Sequence, residues 1–274
     1  MSKASGQQTW RELDALFHPR SVAIVGASTN PEKQGHRYVS HLLEFAFKGP
    51  IYPVNPKAKE ILGLKVYPSI KEIPPPLDYV ISCIPAHEAP SLMEECAAMG
   101  VKGVHFFTGR MKESGEEELA KVEEGMVEMA RRKSIRVIGP NCIGIYHPKV
   151  GLSFRGNLPK ETGKVGFISQ SGGFASDLCY RGGLRGLRYS KVVSYGNASD
   201  LNESDFLEYL AHDPETEVIG AYIEGAKDGR RLFRTLREAC KAKPVVILKG
   251  GRTSAGSRAT ASHTASLAGN DEVW

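Results

Sequence analysis

The stretch Ser21-Val22-Ala23-Ile24-Val25-Gly26-Ala27-Ser28-Thr29-Asn30-Pro31-Glu32-Lys33-Gln34-Gly35 runs from an apolar, β-branched segment through a small polar loop toward a helical pattern. A short continuous apolar run ending in glycine fits a buried parallel strand that turns into a helix. Outward from it the alternation recurs. Strands are predicted at Ser21–Val25, Ile51–Val54, Tyr79–Cys83, Gly103–Phe107 and Arg136–Ile138, with helices between them at about Gly35–Phe45, Ser69–Ile73, Ala89–Met99 and Ser114–Lys133. The last of these carries Glu116-Glu117-Glu118 near its start and Arg131-Arg132-Lys133 at its end, a solvated face that matches the helix dipole.

The second half repeats the pattern, with strands predicted near Lys164–Ser169, Tyr189–Ser194, Val218–Ile223 and Pro244–Leu248, each followed by a helix. Such alternation predicts an α/β protein with two parallel sheets covered by helices on both faces. Tyr146–Gly163, rich in Gly, Pro and polar residues, reads as a linker, which divides the chain into domains at 1–145 and 146–274. Small residues from Gly250 to Gly269 then lead to Trp274 with no closing strand, so the second domain is expected to be truncated at its C-terminus.

A length of 274 residues suits two domains, and 41% hydrophobic with 24% charged residues excludes a disordered, collagen-like or small disulfide-stapled chain. The longest apolar runs, Val22–Ala27, Tyr79–Ala86 and Pro244–Leu248, fall well short of the roughly 18–20 residues of a membrane span. The first residues have no apolar signal region, and the five cysteines are odd in number without Cys-x-x-Cys spacing. Free thiols in a cytoplasmic protein, with no metal site assigned, are the expectation. The net charge of +5 is spread without a basic block interleaved with aromatics, which argues against nucleic acid and for an anionic small molecule.

Backbone N–H groups in the Gly26–Gly35 turn, with the helix dipole behind them, make an anion site of the kind that takes a pyrophosphate, although the turn is not Gly-x-Gly-x-x-Gly. The second strand ends in Tyr52-Pro53-Val54-Asn55-Pro56-Lys57, without the acid that holds the ribose of NAD. Lys57 would instead pair with a ribose phosphate, as NADP or coenzyme A offers, and it reads equally as a solvated surface residue. Ile84-Pro85 would wall an adenine slot, or simply close a strand.

Ser171-Gly172-Gly173 forms a second small turn at a helix start and a second candidate anion pocket. It lacks the first glycine of a serine-nucleophile elbow, and no Asp-then-His order follows convincingly. His263 lies among alanines and hydroxyl residues too small to pack around an imidazole, so it reads as a reactive group. Glu224 follows the strand Val218–Ile223, at the sheet's carboxyl end, where a carboxylate accepting one ring N–H would free the other nitrogen as nucleophile; a surface acid fits the same position.

Taken in order, Leu16–Ser28, Tyr52–Lys57, Ile138-Gly139-Pro140-Asn141-Cys142, Gly166–Gly173, Tyr222-Ile223-Glu224-Gly225 and Ser262-His263-Thr264 resemble the ADP-forming (NDP-forming) acyl-CoA synthetases, whose relatives include the α-subunit of succinyl-CoA synthetase. The resemblance implies a Rossmann-like CoA-binding domain followed by a flavodoxin-like domain. It implies phosphohistidine at His263 paired with Glu224, and CoA contacts at Gly26, Ser28, Lys33, Gly35, Lys57, Ile84 and Pro85. It places Ser171, Gly172, Gly173, Asn141 and Cys142 at the phosphate pocket and active-site floor. It further implies ATP/ADP and Mg²⁺ on an ATP-grasp domain or subunit, an oligomeric assembly, and a small carboxylic acid as substrate. Ala265 departs from the glycine usual in the family after His-Thr, and no ATP-grasp sequence is present. The rival expectations are a CoA-binding regulatory module without catalysis and an NADP-dependent oxidoreductase.

Overall fold

Two parallel sheets follow one another along the chain in the computed structural model, which describes residues 3–251. After helix α1 (Lys3–Phe17), the first domain runs β1 (Val22–Val25), α2 (Gln34–Glu44), β2 (Ile51–Val54), the hairpin β3 (Glu60–Ile61) and β4 (Leu64–Lys65), β5 (Tyr79–Ser82), α3 (Ala89–Met99), β6 (Gly103–Phe106), α4 (Glu117–Arg132) and β7 (Arg136–Ile138). The sheet order is β2-β1-β5-β6-β7, all parallel, with Val22 opposite both Ile51 and Tyr79. Helices on both faces explain the uninterrupted apolar strands: Val22, Ala23 and Ile24 are fully buried.

The second domain runs β8 (Gly144–Tyr146), β9 (Val165–Ser169), α5 (Gly172–Leu184), β10 (Tyr189–Ser194), α6 (Glu203–His212), β11 (Val218–Ile223), α7 (Gly229–Ala242) and β12 (Val245–Lys249). Its order is β12-β11-β9-β10-β8, with β8 antiparallel on the edge. Numbered in chain order within each sheet, the parallel strands read 2-1-3-4-5 in the first and 2-1-3-4 in the second. The winding direction therefore reverses between β1 and β5 in the first sheet and between β9 and β11 in the second. Outside the carboxyl ends of the strands, such a reversal leaves a crevice.

α1, the β3–β4 hairpin and β8 go beyond the sequence expectation, and the expected helix Ser69–Ile73 is a single 3₁₀ turn over Ile70–Glu72, capped by the Ser69 hydroxyl. Strands of two or three residues are too short to show periodicity. α1 bridges the two domains: Leu16 packs on Gly103 of β6, while Trp10 and Phe17 stack on Tyr209 of α6 at 5.8 and 4.7 Å between ring centres. The domains also meet along 139–141, where Asn197 N and Ser199 N donate to Pro140 O and Gly139 O at 3.0 and 3.1 Å. Gly196, at φ +53°, is required there, since a Cβ would lie 2.2 Å from Pro140 O. One apolar core runs through both domains, and a second fills the other face of the first sheet. Among the described residues, no helix is long and apolar enough to cross a membrane.

Candidate functional site

At the first switch point the chain turns on Gly26, at φ +83°, whose N–H donates with that of Ala27 to Val54 O. Gly35 closes the turn from the far side, because a Cβ there would lie 2.0 Å from Gly26 O. Lys33 precedes α2 in extended conformation and no side chain caps the helix, so its first N–H groups are left for a ligand. Asn55 ties the neighbouring loop in, donating from Nδ2 to Ala27 O at 2.7 Å and accepting at Oδ1 from Lys57 N at 2.8 Å. A cavity of about 580 Å³ opens here, lined by Gly26, Ser28, Lys33, Gly35, Ile84 and Pro85 together with Ala27, Gln34, Asn55, Cys83 and Phe107 to Arg110.

Lys33 and Arg110 bring positive charge to a wall that otherwise mixes glycine and apolar side chains with the neutral polar Ser28, Gln34, Asn55 and Thr108, which suits an anion attached to an apolar or planar body. Burial pushes the Cys83 thiol up to about 12, so it serves as wall and not as nucleophile. Lys57 is exposed and stands outside the lining, two residues along the loop from Asn55. Asn55, Thr108, Gly109 and Arg110 were not anticipated. Their signal in the sequence is that polar or glycine residues follow predicted strands, the ends that face a crevice in a parallel sheet.

At the second switch point Gln170 spans from β9 to β11: its Oε1 accepts from Glu224 N at 2.8 Å and from Gly225 N at 3.1 Å. Glu224 is 4% exposed. Burial, and then hydrogen-bonded Glu224, push the Tyr222 hydroxyl up, while the Tyr195 hydroxyl, raised by burial and by Glu203 and Glu224, is buried without a hydrogen-bond partner. The carboxylate thus stands in a low-dielectric setting fixed at its backbone. Ser171 caps α5 by accepting from Phe174 N at 3.2 Å, with Gly172 against Ile143 and Ser194 and Gly173 nearly open. Lys249 Nζ donates to Glu224 O, and Gly250 N to Ile223 O, so the chain passes Glu224 immediately before residue 252. His263 lies outside the described residues.

Asn141 stands between the two crevices. In left-handed conformation (φ +57°), it donates from N to Thr108 O on the first and backs onto Gly196 of the second. Cys142 beside it is 3% exposed, with its thiol toward Phe106 O and its carbonyl accepting from His105 Nε2, a packed core position. Gln170 and the two tyrosines are further residues of the second crevice that sequence reasoning missed, since polarity at a strand end does not reveal which backbone amides it will meet.

Residues 20–148 match the family described as CoA binding domain, and residues 162–274 the family described as Succinyl-CoA ligase like flavodoxin domain. The α subunit of acetate–CoA ligase [ADP-forming] II from Pyrococcus furiosus is 41% identical over 262 residues, which are 96% of this chain and 57% of that protein. Acetate–CoA ligase [ADP-forming] I from Archaeoglobus fulgidus is 40% identical over 96% of this chain and 38% of its own. The chain thus spans about half the length, or less, of these relatives. The dinucleotide-forming acetyl-coenzyme A synthetase 1 of Ca. Korarchaeum cryptofilum, solved with phosphate and ADP, superposes with a TM-score of 0.87 at 37% identity, over 95% of this chain and 56% of that one. By both domains, in their order and across nearly its whole length, this chain belongs to the ADP-forming acyl-CoA synthetase family.

Proposed function

We propose that this chain is the CoA-binding and phosphoryl-carrying part of an ADP-forming acid–CoA ligase, catalysing carboxylic acid + CoA + ATP ⇌ acyl-CoA + ADP + phosphate together with an ATP-grasp module, as a domain or partner subunit holding ATP/ADP and Mg²⁺ in the cytoplasm. The observation that carries this is the pair of switch-point crevices joined through Asn141: an open, cation-bearing cavity on one side and a buried, backbone-fixed carboxylate on the other.

In the first crevice the uncapped start of α2 with Lys33 and Arg110 receives the phosphates of CoA, Ile84-Pro85 its adenine, and Lys57 a ribose phosphate from the loop above. Phosphate displaces CoA from acyl-CoA to give acyl phosphate. The phosphoryl group then passes to a His263 ring nitrogen, releasing the carboxylate, and from there to ADP. Glu224 accepts the other ring N–H and holds the tautomer, while the N–H groups at Ser171-Gly172-Gly173 stabilise the transferring charge. Twelve residue-to-residue steps lead from Gly251 to His263, a reach of up to about 40 Å when extended, ample to return to Glu224 beside Gly250.

The test combines two readouts. Calorimetry should show CoA binding in preference to NADP, weakened by about 1–3 kcal/mol in Lys57→Ala. Acetyl-CoA with labelled phosphate should place an acid-labile, base-stable label on the chain, lost in His263→Ala and cut at least about 100-fold in Glu224→Gln. A folded sample that binds CoA but takes no label would leave a CoA-binding module without catalysis.

A further inference from the structure

Away from both crevices, His18, His147 and Glu215 converge from the end of α1, the exit of β8 and the turn between α6 and β11. One donor atom of each lies within 4.8 Å of the others. The His147 ring is fully buried, and its Nδ1 faces Phe17 O at 2.9 Å, which places the proton on Nδ1. Its Nε2 then points a lone pair toward Glu215 Oε2 at 3.4 Å, buried and without a hydrogen-bond partner. Lys191 answers the Glu215 oxygen, but the buried His147 Nε2 is left without a partner, a cost that a cation bound to the same carboxylate would remove. His18 repeats the arrangement. Its Nδ1 lies 3.2 Å from Asp14 O and 3.1 Å from Asp14 Oδ1, and its Nε2 lies 3.9 Å from Glu215 Oε2. Asp14 is itself held by the Tyr209 hydroxyl at 2.9 Å. Imidazoles whose Nδ1–H is fixed by a carbonyl or carboxylate, with Nε2 converging on a further carboxylate, form the donor and outer-shell pattern of a transition-metal site.

We propose that His18, His147 and Glu215 bind one divalent transition-metal ion of the zinc class, fastening the two domains at their junction. Two nitrogens and one oxygen leave a position for water and favour Zn²⁺ or Co²⁺ over Mg²⁺ or Ca²⁺. Two lysines share the carboxylate: Lys149 pairs with Oε1, and Lys191 with Oε2 and with Asp213. Lys191, buried with Asp213, holds the Oε2 that both histidines face and keeps Glu215 oriented, while half-exposed Lys149 on Oε1 is the competing positive charge that can swing away to solvent when a metal binds.

The experiment takes the chain stripped with a chelator and titrates it with Co²⁺, then Zn²⁺, near neutral pH. One Co²⁺ per chain should bind with the visible absorption of a low-coordinate site and be displaced by Zn²⁺. Zn²⁺ should raise the melting temperature, and Mg²⁺ should do neither. His18→Ala, at a partly exposed ring whose loss leaves the core closed, should weaken binding about 10–100-fold, and Glu215→Gln similarly. Lys149→Ala should tighten it several-fold, a direction that a purely packing role for the cluster would not give. His87→Ala, at an exposed histidine elsewhere, should leave it unchanged. Absence of stoichiometric binding, or binding undiminished in both His18→Ala and Glu215→Gln, overturns the proposal.

Discussion

Between β1 and β5 the crevice is framed by backbone, while between β9 and β11 side chains fill the equivalent space. Gly26 and Gly35 approach so closely in the first that no Cβ fits, and what remains above them is a cavity. In the second, Gln170 crosses the gap to hold the amides of Glu224 and Gly225, with Tyr195 and Tyr222 around the carboxylate. One strand order therefore yields two kinds of site. Topology decides where a crevice forms, and the residues at the strand ends decide whether it admits a ligand or fixes a reacting group.

The hardest test of this contrast is Gly35→Ala. The new methyl would meet three backbone atoms of Gly26 and Ala27 within 3 Å, none able to rotate away. Urea denaturation should show a loss of at least about 3 kcal/mol, and calorimetry a collapse of CoA affinity. Stability within about 1 kcal/mol of the parent would mean the first turn is not shaped by its glycines.

Two buried groups, one in each half, should also respond oppositely to acid. Burial in the first domain pushes His105 down to about 4, against its hydrogen bond to Cys142 O. Between pH 6.5 and 4 the unfolded chain binds more protons than the native one, so this contribution to stability is lost as pH falls, on the order of 3 kcal/mol by pH 4. Burial in the second raises Glu203 to about 6. Its native form holds the extra proton between pH 4.5 and 6, so its contribution declines as pH rises through that window, on the order of 2 kcal/mol. Stability–pH curves of His105→Gln and Glu203→Gln should each lose one of these opposed slopes. Curves parallel to the parent in both would remove the asymmetry.

Much of this was legible in the residues, and the limits are physical. The strands were visible because burial on both faces writes continuous apolar runs, and the first crevice because a strand ending in glycine before a helix specifies a turn. Gly26, Ser28, Lys33, Gly35, Ile84 and Pro85 accordingly all line the cavity, whereas Lys57 does not. Arg110 and Asn55 escaped because their contribution depends on which loops the sheet order brings together. α1 escaped because its apolar face, Leu13, Leu16 and Phe17, is completed by Tyr209 from nearly 200 residues away. The His18–His147–Glu215 cluster is of the same kind, since no local spacing announces three residues that only tertiary structure assembles.

A smaller effect is expected from Gln170→Ala. It removes the single oxygen that accepts from two buried amides, and leaving those N–H groups unmet should cost about 2 kcal/mol. If the second crevice is held by that side chain, hydrogen exchange at Glu224 and Gly225 should accelerate beyond what the global stability loss accounts for. Exchange that tracks only the global loss would show the tyrosines to be sufficient.

The smallest effect, and the sharpest contrast with Gly35→Ala, belongs to Gly173→Ala. Both glycines lie in the first turn of a helix at a switch point, and neither has a positive φ that would penalise a side chain. Chemically the two substitutions are the same. At Gly173, however, a Cβ meets only the Ser171 Oγ, at 3.9 Å, which is ordinary contact. The Ser171 cap to Phe174 N is then undisturbed, and alanine's better helix propensity should leave stability unchanged or raised by up to about 0.5 kcal/mol. A loss comparable to that at Gly35 would show that the second turn, too, is closed by backbone contact, and that the difference drawn between the two crevices is not set by their glycines.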